Sequence, residues 1–296
     1  MKMNSSENKN ARELIRMGIR EDIGRGDITS NLLFPPSLKC RALIKTNQHG
    51  MLAGAAVAEM AFKAIDKNLK VKLLKMDGDH LHEQDIVLEV SGNARSILTA
   101  ERLALNFLSR LSGIATLTHH YFHEIMDSGA QILDTRKTAP GWRALEKFAV
   151  RCGRGVNHRM GLYDGILIKD NHLALVQANS GLKELQKKIR KFKSTNEKTF
   201  VEIEVQNDKQ LDWALACRPD IIMLDNYRPE GAENAARKIR NRKYRKIFVE
   251  ISGGITLGNI REYAKTGVDR ISVGALTHSA QILNFSMDIK KMEKGK

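Results

Sequence analysis

QILDTRKTAPGWRALEKFAVRC, residues 131–152, sets the reading of this chain. Its first part is a short apolar run that ends on charge. Pro140 and Gly141 make a turn and open the second part, WRALEKFAVRC (142–152), whose apolar residues recur at helical spacing. A short buried strand followed by an amphipathic helix is the repeating unit of a parallel α/β fold. The same kind of run recurs downstream as GILIKD (165–170), FVEIEV (200–205), DIIMLD (220–225), IFVEIS (247–252) and RISVGA (270–275). LKELQKKIRKF (182–192) and GNIREYAKTG (258–267) are amphipathic stretches between them. The spacing of roughly 20–35 residues predicts βα units. GVNHR (155–159) is a candidate for one further strand. That falls short of the eight units of a complete barrel, so an incomplete (β/α) barrel and an open doubly wound sheet both fit.

The first third reads differently. A helix is expected over residues 9–24. CRALIKTN (40–47), KLLKM (72–76) and DIVLEVSG (85–92) suit an antiparallel, half-exposed sheet. From Ala94 to about Ile125 the pattern is one long helical period, with Leu98, Ala100, Leu103, Leu105, Phe107, Leu108 and Leu111 on a broad face and a break expected at Gly113. This gives an α+β domain over 1–115 and an α/β domain over 116–279, with the tail 280–296 able to pack back on the first.

Of the 296 residues, 42% are hydrophobic and 28% charged, an ordinary balance for a globular protein. No apolar run approaches the length of a membrane span, and the polar start MKMNSSENKNARELIRMG has no signal-peptide core. Three scattered cysteines without CxxC pairing fit a reducing cytoplasm and give no metal signature. The histidines show no metal-ligand spacing either. The net charge of +15 raises two readings, nucleic-acid binding or a small polyanionic substrate. Much of the excess lies in helical runs such as LKELQKKIRKFK (182–193) and ARKIRNRKYRK (236–246), and in the tail KKMEKGK, all expected to be solvated. Each of the two helical runs holds a single aromatic, Phe192 and Tyr244, too few for a stacking platform, which disfavours nucleic acid.

In parallel α/β folds ligands bind at the carboxyl ends of the strands. Those ends carry Asp134, Arg136 and Lys137; Lys169 and Asp170; Glu204; Asp225; Ser252, Gly253 and Gly254; and Gly274. Arg136, Lys137, His158, Arg159 and Lys169 form a cationic group that only a multiply charged anion would hold together. Glu204 and Asp225, at the tips of consecutive strands, suit Mg²⁺, directly or through water, or a developing cation. SGGI (252–255) before a helix suits a phosphate. Phosphoribosyl transfer from a pyrophosphate donor fits all three groups, because the ribose acquires oxocarbenium character that a carboxylate stabilises.

The run DTRKTAPGWRALEKFAVRCGRGVNHRMGLYDGILIKDNH (134–172) closely resembles quinolinate phosphoribosyltransferases. EDIGRGDITS (21–30), ERLALNFLSRLSGIAT (101–116), VEIEV (201–205), IIMLDN (221–226), SGGIT (252–256) and ISVGALTHS (271–279) extend the likeness along nearly the whole chain. The resemblance implies an N-terminal α/β sandwich with an incomplete α/β barrel, assembled as a homodimer or larger homo-oligomer. It implies that Arg136, Lys137, His158 and Arg159 grip quinolinate, with Arg102 supplied to the neighbouring subunit's site. Lys169, Glu204 and Asp225 would serve the ribosyl pyrophosphate and Mg²⁺, with catalysis resting on these three and Lys137. Ser252, Gly253, Gly254 and Gly274 would cradle the 5′-phosphate. The substrates would be quinolinate and phosphoribosyl pyrophosphate, with nicotinate mononucleotide, pyrophosphate and CO₂ as products on the route to NAD; neither nucleic acid nor membrane is a partner. One position departs from the family's CGGG segment, which here reads CGRG with Arg154; an arginine is strained there if the backbone needs positive φ. A rival enzyme reading makes Lys169 the amine of a Schiff-base aldolase, although the surrounding cations argue against a lone reactive amine.

Overall fold

The computed structural model describes residues 1–240 and 246–290. Residues 241–245 of the basic run ARKIRNRKYRK, and 291–296 of the tail, lie outside the described residues. The elements begin with α1 (Ser5–Asp22), α2 (Ile28–Leu33), β1 (Lys39–Thr46), β2 (Gly50–Met51), α3 (Ala55–Ile65), β3 (Lys70–Leu73), β4 (His80–Leu81), β5 (Ile86–Asn93) and α4 (Ala94–Ile125). Then follow β6 (Gln131–Leu133), α5 (Arg143–Cys152), β7 (Ile166–Ile168), α6 (Asp170–Asn179), α7 (Gly181–Thr195), β8 (Val201–Val205) and α8 (Asp208–Cys217). The last are β9 (Ile221–Asp225), α9 (Pro229–Ile239), β10 (Phe248–Ser252), α10 (Ile260–Ala264), β11 (Arg270–Ser272), α11 (Ala275–His278) and β12 (Phe285–Lys290). Among the described residues no helix is long and apolar enough to cross a membrane.

Two compact units result. One holds Met1–His119, Thr138–Arg154 and the chain from Leu276; the other holds His120–Lys137 and Gly155–Ala275. This differs from a single cut at 115/116. Helix α5 reads as the helix of a βα unit, yet it keeps with the first unit. Its Arg151 pairs with the buried Glu7 of α1 at 2.8 Å, and Trp142 stacks on Phe107 of α4 with ring centroids 5.1 Å apart.

In the first unit an antiparallel sheet runs in the order β12-β1-β5-β3. Strand β1 alternates, burying Cys40, Ala42, Ile44 and Thr46. Strand β12 pairs along its outer edge, from Arg41 opposite Lys290 to Thr46 opposite Phe285. Helix α4 runs through Gly113 without a break. A Cβ at Gly113 would lie 2.0 Å from the Gln281 carbonyl oxygen. The glycine is there because a neighbouring backbone crosses the helix, not because the helix ends. Arg154 adopts φ +71°, the left-handed region that glycine occupies without cost.

In the second unit a parallel sheet runs in the order β6-β11-β10-β9-β8-β7. Val156, in GVNHR, adds one parallel bridge to Leu133 of β6. Strand β7 forms the far edge, so the sheet is an incomplete barrel with six strands and a one-residue extension among the described residues. Strand β8 is buried throughout, with Val201, Ile203 and Val205 in one phase and Glu202 and Glu204 in the other. The apolar phase continues in Ile222, Leu224, Val249 and Ile251, all wholly buried. Each such side chain contributes roughly 1.5–3 kcal/mol. The charged phase is the one that builds the site.

Candidate active site

Because the strands of the second unit are parallel, their carboxyl ends share one edge. Arg136 and Lys137 follow β6, His158 and Arg159 follow the Val156 bridge, and Lys169 follows β7. Glu204 lies near the end of β8, and Asp225 and Ser252 end β9 and β10, where they are register partners. Gly274 lies two residues past β11.

Arg159 is only 7% exposed, and its Nη1 donates to the Gly165 carbonyl at 2.8 Å. Burial depresses its pKa, and the nearby Arg136 depresses it further, with Glu202 opposing. The Nε atoms of both Arg136 and Arg159 are buried without a hydrogen-bond partner. Two adjacent guanidinium groups with unused buried donors cost free energy that a dicarboxylate would recover. The loop that carries Arg159 is held by Asp134, which is fully buried at the end of β6. Its Oδ1 accepts from the His158 N–H at 2.9 Å and its Oδ2 from Asn157 Nδ2 at 2.6 Å. Lys137 is exposed at the same strand end.

Lys169 caps α6, with its N–H donating to His172 Nδ1 at 3.0 Å. Its Nζ lies 3.3 Å from Glu204 Oε2. Burial raises the Glu204 carboxyl above the ordinary carboxylate range; Lys169 lowers it and the nearby Asp225 raises it again. Gly253 and Gly254 adopt φ +92° and +64°. A Cβ on Gly253 would lie 2.2 Å from Asn226 Oδ1. Asn226 itself has φ +58°; its N–H donates to the Ser252 carbonyl at 2.9 Å and its Nδ2 to Asp225 Oδ2 at 2.9 Å. It thus ties the β9 carboxylate to the glycine turn after β10, a role the sequence reading did not assign. The signal for it is an asparagine directly after a strand, the residue that best tolerates a left-handed turn after glycine.

Sequence reasoning also missed Glu202 and Glu250, both wholly buried in the charged phase of the sheet. His158 Nε2 lies 2.9 Å from Glu202 Oε2 and 3.6 Å from Glu250 Oε1. Arg270 Nε lies 2.9 Å from Glu250 Oε2, and Ser272 Oγ donates to Glu250 Oε1 at 2.5 Å. Burial pushes both carboxyls up to about 7. For Glu250 the neighbouring Glu202 adds to the rise, while His158, Arg270 and Ser272 oppose it. The folded chain then holds a proton on Glu250 that the unfolded chain has already released. That stabilisation is complete below the ordinary carboxylate range and is lost as pH rises through about 7. Glu250→Gln should therefore flatten the fall of Tm between roughly pH 5 and 8; equal slopes in the two proteins would count against a raised Glu250.

Arg102 is exposed on α4 in the first unit, beside Glu101 and in a surface recess lined also by Asp22, Asp27 and Thr99.

The model of the quinolinate phosphoribosyl transferase C-terminal domain matches residues 114–288, and that of the N-terminal domain matches residues 27–112. The chain belongs to the quinolinate phosphoribosyltransferase family. A Bacillus subtilis relative, named a probable nicotinate-nucleotide pyrophosphorylase (carboxylating), is 42% identical over 94% of this chain and 93% of its own length. A Mycobacterium leprae nicotinate-nucleotide pyrophosphorylase (carboxylating) is 39% identical over 94% of this chain and 97% of its own length. Among solved structures, the nicotinate-nucleotide pyrophosphorylase from Francisella tularensis superposes with a TM-score of 0.87 at 38% identity, covering 96% of this chain and 97% of that one. The human nicotinic acid phosphoribosyltransferase, at 12% identity and a TM-score of 0.54, shares the fold alone. As a member of the quinolinate phosphoribosyltransferase family the chain is a transferase, and the Schiff-base reading of Lys169 falls away.

Proposed function

We propose that the chain transfers the phosphoribosyl group of phosphoribosyl pyrophosphate to quinolinate, with loss of CO₂ and pyrophosphate, giving nicotinate mononucleotide for NAD biosynthesis in the cytoplasm. The observation that carries this reading is the pair of buried, unpartnered guanidinium Nε atoms on Arg136 and Arg159, on the same sheet edge as the Lys169–Glu204 pair. Arg136 and Arg159 take the acceptor's two carboxylates, and Lys137 adds positive charge at the mouth. Ser252, Gly253, Gly254 and Gly274 take the 5′-phosphate, and the positive φ of Gly253 and Gly254 leaves room for a close approach of oxygen to backbone. Lys169 and Glu204 flank the ribose, where the carboxylate stabilises oxocarbenium character at the anomeric carbon.

Ribosylation makes the pyridine nitrogen cationic; when the 2-carboxylate leaves as CO₂, that cation stabilises the electron pair left on C2, and a proton from solvent then takes the carboxylate's place. The protein's own contribution is positioning and electrostatics. Glu204 and Asp225 fit Mg²⁺: they offer hard oxygen donors from consecutive strands, and the nearness of Asp225 raises the Glu204 carboxyl, a repulsion that a divalent cation would relieve. Bound there, Mg²⁺ would neutralise charge on the pyrophosphate.

The direct test mixes the pure protein with quinolinate, phosphoribosyl pyrophosphate and Mg²⁺ and follows CO₂ and nicotinate mononucleotide. Product from a different pyridine carboxylate, and none from quinolinate, would overturn the stated acceptor. In this reading Arg102 completes the site of a neighbouring subunit in a homodimer or larger homo-oligomer. Inactive Arg102→Ala mixed with inactive Lys169→Ala should then regain partial activity; no recovery despite demonstrated subunit exchange would mean that Arg102 serves its own chain.

A further inference from the structure

The inward face of a complete α/β barrel is ordinarily filled by Val, Ile and Leu. Here the corresponding face carries Glu202, Glu250, Arg270 and Ser272, with His158 set among them at 8% exposure. Buried ion pairs of this kind contribute little to stability compared with well-packed apolar side chains of the same volume. Their presence beside the acceptor cations therefore calls for a reason other than folding.

The contacts of His158 supply one. Its Nδ1 accepts the backbone N–H of Arg159 at 2.7 Å, which places the ring proton on Nε2. Nε2 faces Glu202 Oε2 at 2.9 Å and Glu250 Oε1 at 3.6 Å. Both ring nitrogens are thus turned into the protein, one to the backbone of the acceptor arginine and one to the buried carboxylates. Glu250 is fixed in turn by Arg270 and Ser272, and the His158 backbone is fixed by Asp134. The imidazole is a strut between the sheet interior and the backbone of Arg159.

We infer that Glu202, backed by Glu250, is a positioning residue for acceptor binding, acting through the His158 ring on the Arg159 backbone. This rests on the assignment of Arg136 and Arg159 to the acceptor pocket, and it gives His158 a different task from the direct grip on quinolinate that the family resemblance implies. Without the Glu202 carboxylate, Nε2 loses the nearer of its two carboxylate neighbours, the ring's orientation is held less firmly, and the hydrogen bond that orients Arg159 is weakened. A misplacement of about 1 Å in such a group is enough to cost two orders of magnitude. His158, Glu202 and Glu250 also have the composition of a metal site, with ligating atoms within 4.8 Å of one another. The surroundings disfavour a metal there, because Ser272 donates to one Glu250 oxygen, the Arg270 guanidinium stands 2.9 Å from the other, and a divalent ion would lie among arginines.

The test uses the full chain and steady-state kinetics in both substrates. Glu202→Leu should raise the KM for quinolinate at least ~10-fold while the KM for phosphoribosyl pyrophosphate stays within about 2-fold. Glu202→Gln should recover most of that loss, since its amide oxygen can keep the 2.9 Å approach to Nε2. The double variant Glu202→Leu with His158→Ala should be no worse than His158→Ala alone, because the two act as one unit. An unchanged quinolinate KM, an equal rise in both KM values, or additive losses in the double variant would each overturn the inference. Should the leucine variant not fold, Glu202→Asp serves instead: it keeps the charge, withdraws the oxygens by about 1.5 Å, and must also raise the quinolinate KM, a wild-type value overturning the inference. Arg136→Ala separates the two levels of the argument. A quinolinate KM indifferent to Arg136→Ala defeats the pocket assignment; one that responds to Arg136→Ala and not to Glu202 defeats the positioning role alone.

Discussion

Arg159→Ala is expected to lower kcat/KM for quinolinate by at least ~100-fold, about 2.7 kcal/mol of transition-state stabilisation. The size follows from burial. Arg159 is 7% exposed and one of its guanidinium donors is spent on the Gly165 carbonyl, leaving Nε without a partner. A carboxylate that meets this group does so away from water, where truncating one partner of a hydrogen-bonded charge pair costs 2–5 kcal/mol or more. Arg159→Lys should recover little, because an ammonium cannot reproduce the planar fork and cannot both hold Gly165 and reach a carboxylate. The loss should fall on the acceptor: the KM for phosphoribosyl pyrophosphate should stay within about 3-fold of wild type. Equal losses in both substrates would mean that Arg159 supports the site as a whole rather than gripping quinolinate, and unchanged kcat/KM would remove it from the pocket.

That expectation was half legible in the amino-acid sequence. Parallel strands buried on both faces read as short apolar runs, so β6 to β11 stood out, and a charge at the end of each run marked Arg136, Lys169, Glu204 and Asp225 as neighbours at one sheet edge. The long period from Ala94 to Ile125 was legible for the same reason, since a single face stays apolar over many turns. Glu202 and Glu250 were not legible. VEIEV alternates like a half-exposed strand, and only the packed parallel sheet turns its charged phase toward His158 and Arg270 instead of toward water. The partner of α5 was hidden too, because its amphipathic pattern does not say which apolar surface covers it. GVNHR yields a single bridge at Val156 because the chain must turn at once to deliver His158 and Arg159. The subunit role of Arg102 came from the family resemblance; its own surroundings on α4 read as an ordinary exposed helix position.

Gly113 is the position where local and tertiary rules give opposite signs, and its substitution decides between them. A glycine in the middle of a helix is about 1 kcal/mol worse than alanine, so a free helix should gain stability from Gly113→Ala. The tertiary structure reverses this. The added Cβ would lie 2.0 Å from the Gln281 carbonyl oxygen and 3.0 Å from the Ile282 Cα. These are backbone atoms, and they cannot swing aside as a side chain would. The segment is pinned on one side by the Leu283 N–H donating to the Ser109 carbonyl of α4 at 3.0 Å, and on the other by β12, which pairs with β1 from Phe285 onward. Relief requires this segment to lift off the helix, giving up that hydrogen bond and pulling on the β12 register. Overpacking against fixed backbone places the net cost at about 3 kcal/mol or more, a Tm decrease of roughly 6 °C or more. Gly18→Ala in α1 is the control. Its Cβ would meet only the Cδ1 end of Leu103, a flexible side chain that can rotate away, so the change should stay within about 1 kcal/mol. Amide exchange should quicken in β12 and β1 of the Gly113→Ala protein before the rest of the first unit. A Tm increase for Gly113→Ala would show instead that the 281–283 segment does not bear on α4 in solution.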